Sequence, residues 1–426
     1  MKRSFSLILL AVILSFCFKS NCFGQDDLIK TIQWHAGKVE SIAFNPDGNI
    51  LASGSDDQTI VLRNTKTWEI IKSISDIGSF VMAIAFSPDG SRIINSGSDH
   101  IIRLWDINSG KLIITFNSDH YENNSVAYCP DGNKIASGNN GKNINIWEIN
   151  SGNLIKKLSG HTDAVLCVAF DKVGNRLISG SRDKKIKLWD ARNGEFIRDI
   201  VENDSGIYSV KISPDDNKII AGCADGKIKL WDIESGNLVR SFVGHTQGIT
   251  SIAISFDGSK IISGSYDSTV RVWELNTGDL INTLRGHNSF VLSVAISPDG
   301  SVIASGDLFH LIKIWKGPNY SAVEENGNNT SDTEIINITP NPSSGQLEIQ
   351  FSLASPSIVN LSITNSLGSE VARAIDNVYY EQGKSKVTFD AENFSPGVYF
   401  CTISYRCPTS AGCWASSRTV KFIVVR

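Results

Sequence analysis

The chain has no surplus of positive charge, few histidines and almost no methionine. Its 40 Lys and Arg against 44 Asp and Glu give a net charge of −4. That balance excludes the clustered basic footprint of a nucleic-acid binder, so no nucleic acid is expected as partner. Seven histidines leave few groups for a metal or a general base, and no cysteine spacing matches a zinc site. No G-x-S-x-G elbow of a serine hydrolase is present. The one apolar run, residues 5–18 in "MKRSFSLILLAVILSFCF", is shorter than the roughly 20 residues of a spanning helix. It follows Lys2 and Arg3 and reads as the core of a secretory signal peptide over 1–24, cleaved after Gly24. A lipid-bearing Cys17 or Cys22 is disfavoured by Phe16 and Asn21 in front of them. The mature chain is therefore expected to have no transmembrane span.

What the chain does contain is glycine, at 35 residues, and nine tryptophans, with Ile, Val and aromatics set between short polar turns. That composition favours an all-β protein. Cys129, Cys167 and Cys223 are isolated and read as small buried apolar residues. Cys407 and Cys413 flank the turn-like "PTSAG" and form a candidate disulfide, which suits an exported protein.

Trp105, Trp147, Trp189, Trp231, Trp273 and Trp315 are each 42 residues apart, and Arg63 stands one further step back. The turns "NPDG", "SPDG", "CPDG", "DKVG", "SPDD", "SFDG" and "SPDG" keep the same step. Each copy divides into four short strands, as in "AVLCVAF", "RLISGS", "KIKLWD" and "EFIRDI". A period of this length with four strands per unit describes propeller blades. With "GHTDAVLCVAF" and "LISGSRDKKIKLWD" as its landmarks, the region 26–317 resembles a seven-bladed WD-repeat β-propeller. "LIKTI" at 28–32 matches an outermost strand, and the last copy lacks one. The N-terminal strand is therefore expected to complete the last blade and remove a free edge.

His161, Ser179 and Asp183 have the residue types of a nucleophile triad. The resemblance instead implies a structural chain with Trp189, in which the Asp holds the His, the His contacts the Ser and the Ser meets the indole. The same set recurs as His245, Ser263, Asp267 and Trp273. Elsewhere it degrades: Arg63 replaces Trp, Ile77, Gly141 and Asn203 interrupt three copies, and Phe309 occupies the Asp phase of the seventh. A catalytic set would not be repeated and eroded around a ring, so no enzymatic activity and no cofactor are expected. Lys184, Lys185 and Lys187 align with positions that are basic in only some copies, and read as a solvated turn and edge.

A polar stretch at 318–334 separates a second all-β region, 335–426, with about seven alternating strands in roughly 90 residues. That density suggests an immunoglobulin-like β-sandwich. "ITPNPSSGQLEIQFSL", "NLSITNSLGSEV", "SPGVYFCTI" and the final "VKFIVVR" resemble the type A C-terminal sorting domain of type IX secretion. That resemblance implies a partner in the outer-membrane export machinery and a propeller released from, or held at, the surface of a Bacteroidota-like cell.

A rigid ring with many short loops suits binding. On the face near the structural Asp, the phase of Arg182 holds Tyr266, and the phase of Ala164 holds Phe80 and Phe290. Phe80, Arg182, Tyr266 and Phe290 are of the types favoured at binding hot spots and are the candidate contacts for a protein or peptide. A surface adhesin or glycan binder, or an enzyme with its site in the central funnel, are the alternatives.

Overall fold

A computed structural model describes residues 27–118, 120–320, 334–339, 345–353, 356–365, 369–395, 397–406 and 416–424. The signal-like segment 1–24 and the Cys407–Cys413 stretch lie outside them. Residues 28–316 form seven four-stranded antiparallel sheets. In the blade holding Trp189 the strands are Val165–Phe170, Arg176–Ser181, Lys185–Asp190 and Phe196–Glu202.

Burial explains why strands of one blade differ in pattern. Arg176–Ser181 is covered by neighbouring blades on both faces and is buried along nearly its whole length, so it reads as a continuous apolar and small-residue run. Leu154–Ser159, at an outer rim, buries only Leu158. Each fully buried Ile or Leu between blades contributes roughly 1.5–3 kcal/mol of transfer free energy.

The innermost strands, Val39–Phe44, Val81–Phe86, Asn123–Tyr128, Val165–Phe170, Ile207–Ile212, Ile249–Ile254 and Val291–Ile296, touch one another in order. The last touches the first, so the ring is closed. Serines tie these strands together. Ser41 Oγ accepts from Ile84 N at 3.1 Å, Ser125 from Val168 N at 3.2 Å, Ser209 from Ile252 N at 3.1 Å and Ser251 from Val294 N at 3.2 Å. Ser293 accepts from Ile42 N at 2.9 Å and carries the pattern across the closure.

The expected closure is present. Leu28–Gln33 pairs with Leu311–Lys316 as the fourth strand of the last sheet, with Thr31 opposite Lys313 and Ile32 opposite Ile312. Lys316 N donates to Asp27 O at 2.8 Å, and Lys313 Nζ reaches Thr31 Oγ1 at 3.0 Å.

Two kinds of turn recur. In the "SPDG" type, Gly90 has φ +71° and its equivalents agree closely, except that Asp216 adopts φ +58° in the fifth copy. In the turn after the structural Asp, Gln58, His100, Lys142, Lys184, Ser268 and His310 all have φ between +66° and +72°. Only the fifth copy places a glycine there, Gly226.

Among the described residues of the C-terminal region there are a three-stranded and a four-stranded sheet. Gln346–Leu353 buries every second side chain. Leu347 and Phe351 of that strand share one apolar cluster with Leu361, Cys401 and Ile403 of the other sheet. Cys129, Cys167, Cys223 and Cys401 are buried free thiols. No helix among the described residues is long and apolar enough to cross a membrane.

Candidate partner-binding face

The His-Ser-Asp sets form with the spacing of a catalytic triad. His161 Nδ1 lies 2.8 Å from Asp183 Oδ2 and its Nε2 lies 2.8 Å from Ser179 Oγ. The Trp189 indole N–H donates to the same Oγ at 2.9 Å. His245, Ser263, Asp267 and Trp273 repeat the chain at 2.8, 2.7 and 2.8 Å. Burial acts to raise the Asp183 carboxyl, but hydrogen bonds from His161 and Thr162 N–H outweigh it and hold the group at about 2. Burial pushes His245 below its ordinary value despite the attraction of Asp267. Its ring is then neutral at pH 7, with Nδ1–H donating to the carboxylate and Nε2 accepting from the serine hydroxyl. Every group is satisfied, which is what makes a buried polar chain rigid. Ser179 is 0% exposed and roofed by the indole, so no substrate carbonyl can reach its oxygen.

Two sequence expectations need correction. The seventh copy was expected to lack its carboxylate because Phe309 stands in the Asp phase. Asp307, two residues earlier, takes the role. It lies 2.7 Å from His287 Nδ1 and accepts Phe309 N and Leu311 N at 2.9 Å each. His287 continues to Ser305 at 2.6 Å and Ser305 to Trp315 at 2.7 Å. Ser181 marks the phase of Asp307 in other copies, and that one-residue exchange was the available signal. Second, Lys187 is not a solvated edge residue. It is 6% exposed, its Nζ lies 2.5 Å from Asp199 and 4.7 Å from the Phe196 ring centre. Lys184 is exposed as expected. In the first copy, Arg63 donates to Trp68 O at 2.9 Å and lies 6.0 Å from the Trp34 ring.

The loop face is built from two facing phases. In all seven copies a backbone bond joins them: Asp56 N to Lys38 O, Ser98 to Phe80, Asn140 to Glu122, Arg182 to Ala164, Ala224 to Gly206, Tyr266 to Gly248 and Leu308 to Phe290. The variable side chains therefore stand on a fixed platform. Tyr266 and Phe290 meet edge to face at 5.1 Å between ring centres. Tyr208, which sequence reasoning did not single out, meets Tyr266 at 6.2 Å. Its ring has room because the loops carry glycine: a Cβ on Gly248 would meet Tyr208 Cε2 at 3.4 Å and Ala224 O at 3.1 Å. Burial raises the Tyr266 hydroxyl, Tyr208 and Glu40 add to it, and the positive charge of Arg182 opposes it. Arg182, Tyr208, Tyr266 and Phe290 thus form one patch contributed by successive blades, with Arg182 and Phe290 exposed. Phe80 is 45% exposed and makes no ring contact among the described residues, so it stands apart from the patch.

On the first blade, Lys38 lies 3.1 Å from Asp56 and 3.6 Å from Glu40. Glu40 and Tyr208 both line the mouth of the central tunnel. Among the described residues no group of three or more His, Cys, Asp or Glu is placed to hold a metal ion.

Comparison with known proteins agrees with this architecture. Residues 26–64 and 68–106 match the family model of the WD domain, G-beta repeat. Residues 116–316 match that of the WDR36/Utp21 second beta-propeller domain. Residues 337–409 match the secretion system C-terminal sorting domain. No curated protein matches the chain. The repeat landmarks, the closed ring of four-stranded sheets and these matches together identify residues 26–316 as a WD-repeat propeller, followed over 337–409 by a match to the secretion system C-terminal sorting domain.

Proposed function

We propose that the protein is an exported binding scaffold that grips a protein or peptide on the loop face, beside the tunnel mouth. The carrying observation is the contiguous Tyr208–Tyr266–Phe290 cluster with Arg182 beside it. Aromatic and arginine side chains clustered on a rigid support are the composition of binding hot spots. The rings meet at 75° and 66°. They present edges and clefts rather than one flat platform, which favours a shaped protein surface over the stacked sugar of a glycan binder. Binding rather than catalysis fits the closed polar chains, whose serines are all covered.

In this reading residues 1–24 direct the chain to the periplasm, 335–426 address it to the type IX machinery and 318–334 join the two domains. The propeller then acts at the cell surface or outside the cell. The test is capture by the exported protein from culture medium or host extract. Tyr266→Ala with Phe290→Ala is expected to leave the melting temperature within about 2 °C, because surface changes usually cost little, and to reduce capture at least about tenfold. Undiminished capture would overturn the assignment of this face.

A further inference from the structure

The tunnel through the ring is a cavity of about 830 Å³ lined by the innermost strands of all seven blades. One position on those strands is alanine in six copies: Ala43, Ala85, Ala127, Ala169, Ala253 and Ala295. In the fifth copy it is Lys211. The other charged lining residues are engaged: Glu40 lies 3.6 Å from Lys38 Nζ, and Lys172 Nζ donates to Pro214 O at 3.3 Å. Lys211 has no ion pair or hydrogen bond among the described residues. Solvent in the tunnel reaches its side chain, yet the surrounding strands crowd it enough that burial lowers its pKa. The neighbouring ionisable group is the Cys167 thiol, which burial pushes up to about 12 and so keeps neutral. Among the described residues no carboxylate pairs with the ammonium.

The serine belt lies in the same tunnel. Ser41, Ser125, Ser209, Ser251 and Ser293 each spend an oxygen lone pair on a backbone N–H of the next blade. None of these hydroxyls donates to another group among the described residues. Ser209 stands two residues before Lys211 on one strand, so both side chains project to the same face. An ammonium with no partner among the described residues, on the same face as a serine whose O–H is unused, in a tunnel whose equivalent positions are alanine, leaves donors without a matching acceptor at that point of the wall. A negatively charged oxygen group supplies what is missing, through charge-assisted hydrogen bonds.

We infer that the central tunnel is an oxyanion site, in which Lys211 and the serine belt hold a phosphate or carboxylate group. That group could be free in solution or be the end of a peptide chain, and the measurement separates these sources.

The repeat itself supplies the control, because Lys211→Ala gives the fifth blade the residue of the other six. The variant is therefore expected to fold, and its melting temperature checks that. Calorimetric titration of the full chain, in a buffer free of competing oxyanions, uses three probes: inorganic phosphate, a short peptide with a free C-terminal carboxylate, and the same peptide amidated. The expected result is binding of phosphate or of the free-carboxylate peptide with one site per chain. The Lys211→Ala chain should bind at least about tenfold more weakly, the scale of one charge-assisted hydrogen bond. Preference for phosphate assigns a free anion, and preference for the free over the amidated peptide assigns a chain end. Failure of the wild type to bind either anion at millimolar concentration would overturn the inference, as would equal binding by a folded Lys211→Ala chain.

Discussion

At the scale of single residues, the seventh blade shows how a role can outlive its position. His287 needs an acceptor for Nδ1–H, and Asp307 provides it from two residues upstream of the usual place, with a side chain that is 0% exposed. Burial acts to raise the Asp307 carboxyl, but hydrogen bonds from His287 and Leu311 N–H outweigh this and bring it below its ordinary value. Removing the carboxylate would strand two donors, the His287 ring N–H and the backbone N–H of Leu311, and leave Phe309 N–H only the Ser289 Oγ at 3.3 Å. Asp307→Ala is expected to cost about 3 kcal/mol, since unsatisfied buried donors are expensive. Denaturant unfolding of the propeller measures it. Asp307→Ser combined with Phe309→Asp recreates the arrangement of Ser265 and Asp267 in the sixth blade, and should recover most of the loss. If the double change is no better than Asp307→Ala, the carboxylate is not interchangeable between the two positions.

At the scale of the element, the blade was legible in the sequence because its period is long and its landmarks are many. The strands "RLISGS" and "KIKLWD" coincide with Arg176–Ser181 and Lys185–Asp190. The partnership of Leu28–Gln33 with the last blade followed from counting which copy lacked an outer strand. Periodicity reports what copies share, however, and the binding face is made of what they do not. Tyr208, Tyr266 and Phe290 come from three successive blades, and their meeting depends on distances between blades that no repeat encodes. Asp307 was missed for the same reason, since it sits out of phase. The closing strand carries a prediction of its own. Leu28–Gln33 buries Ile32 and covers Ile312 and Ile314 of the edge it pairs with. Deleting residues 28–33 would leave that edge open and lose roughly five backbone bonds of about 1 kcal/mol each. The expected result is a melting temperature at least about 10 °C lower and self-association through the exposed edge. An unchanged melt in a monomeric product would show that the ring does not depend on this strand.

At the scale of the whole molecule, two all-β units divide the work differently. The propeller spends its sequence on a closed ring: buried His-Ser-Asp sets in four blades and a serine belt around the tunnel. The C-terminal unit has its own apolar cluster of Leu347, Phe351, Leu361, Cys401 and Ile403, containing no propeller residue. A unit with its own core does not need the propeller in order to fold, and the propeller's sheets likewise close without it. Removing 335–426 is therefore expected to leave the ring intact while removing the address. The truncated chain should accumulate in the periplasm, with the melting temperature and Lys211-dependent anion binding of the full protein. The full chain should instead be found at the surface or in the medium. Fractionation with immunodetection reads the location, and thermal unfolding of the periplasmic product reads the fold. Appearance of the truncated chain outside the cell at normal yield would sink the sorting role. A truncated chain that is degraded rather than stranded would mean that the propeller leans on its C-terminal unit for stability, against the separation of the two cores.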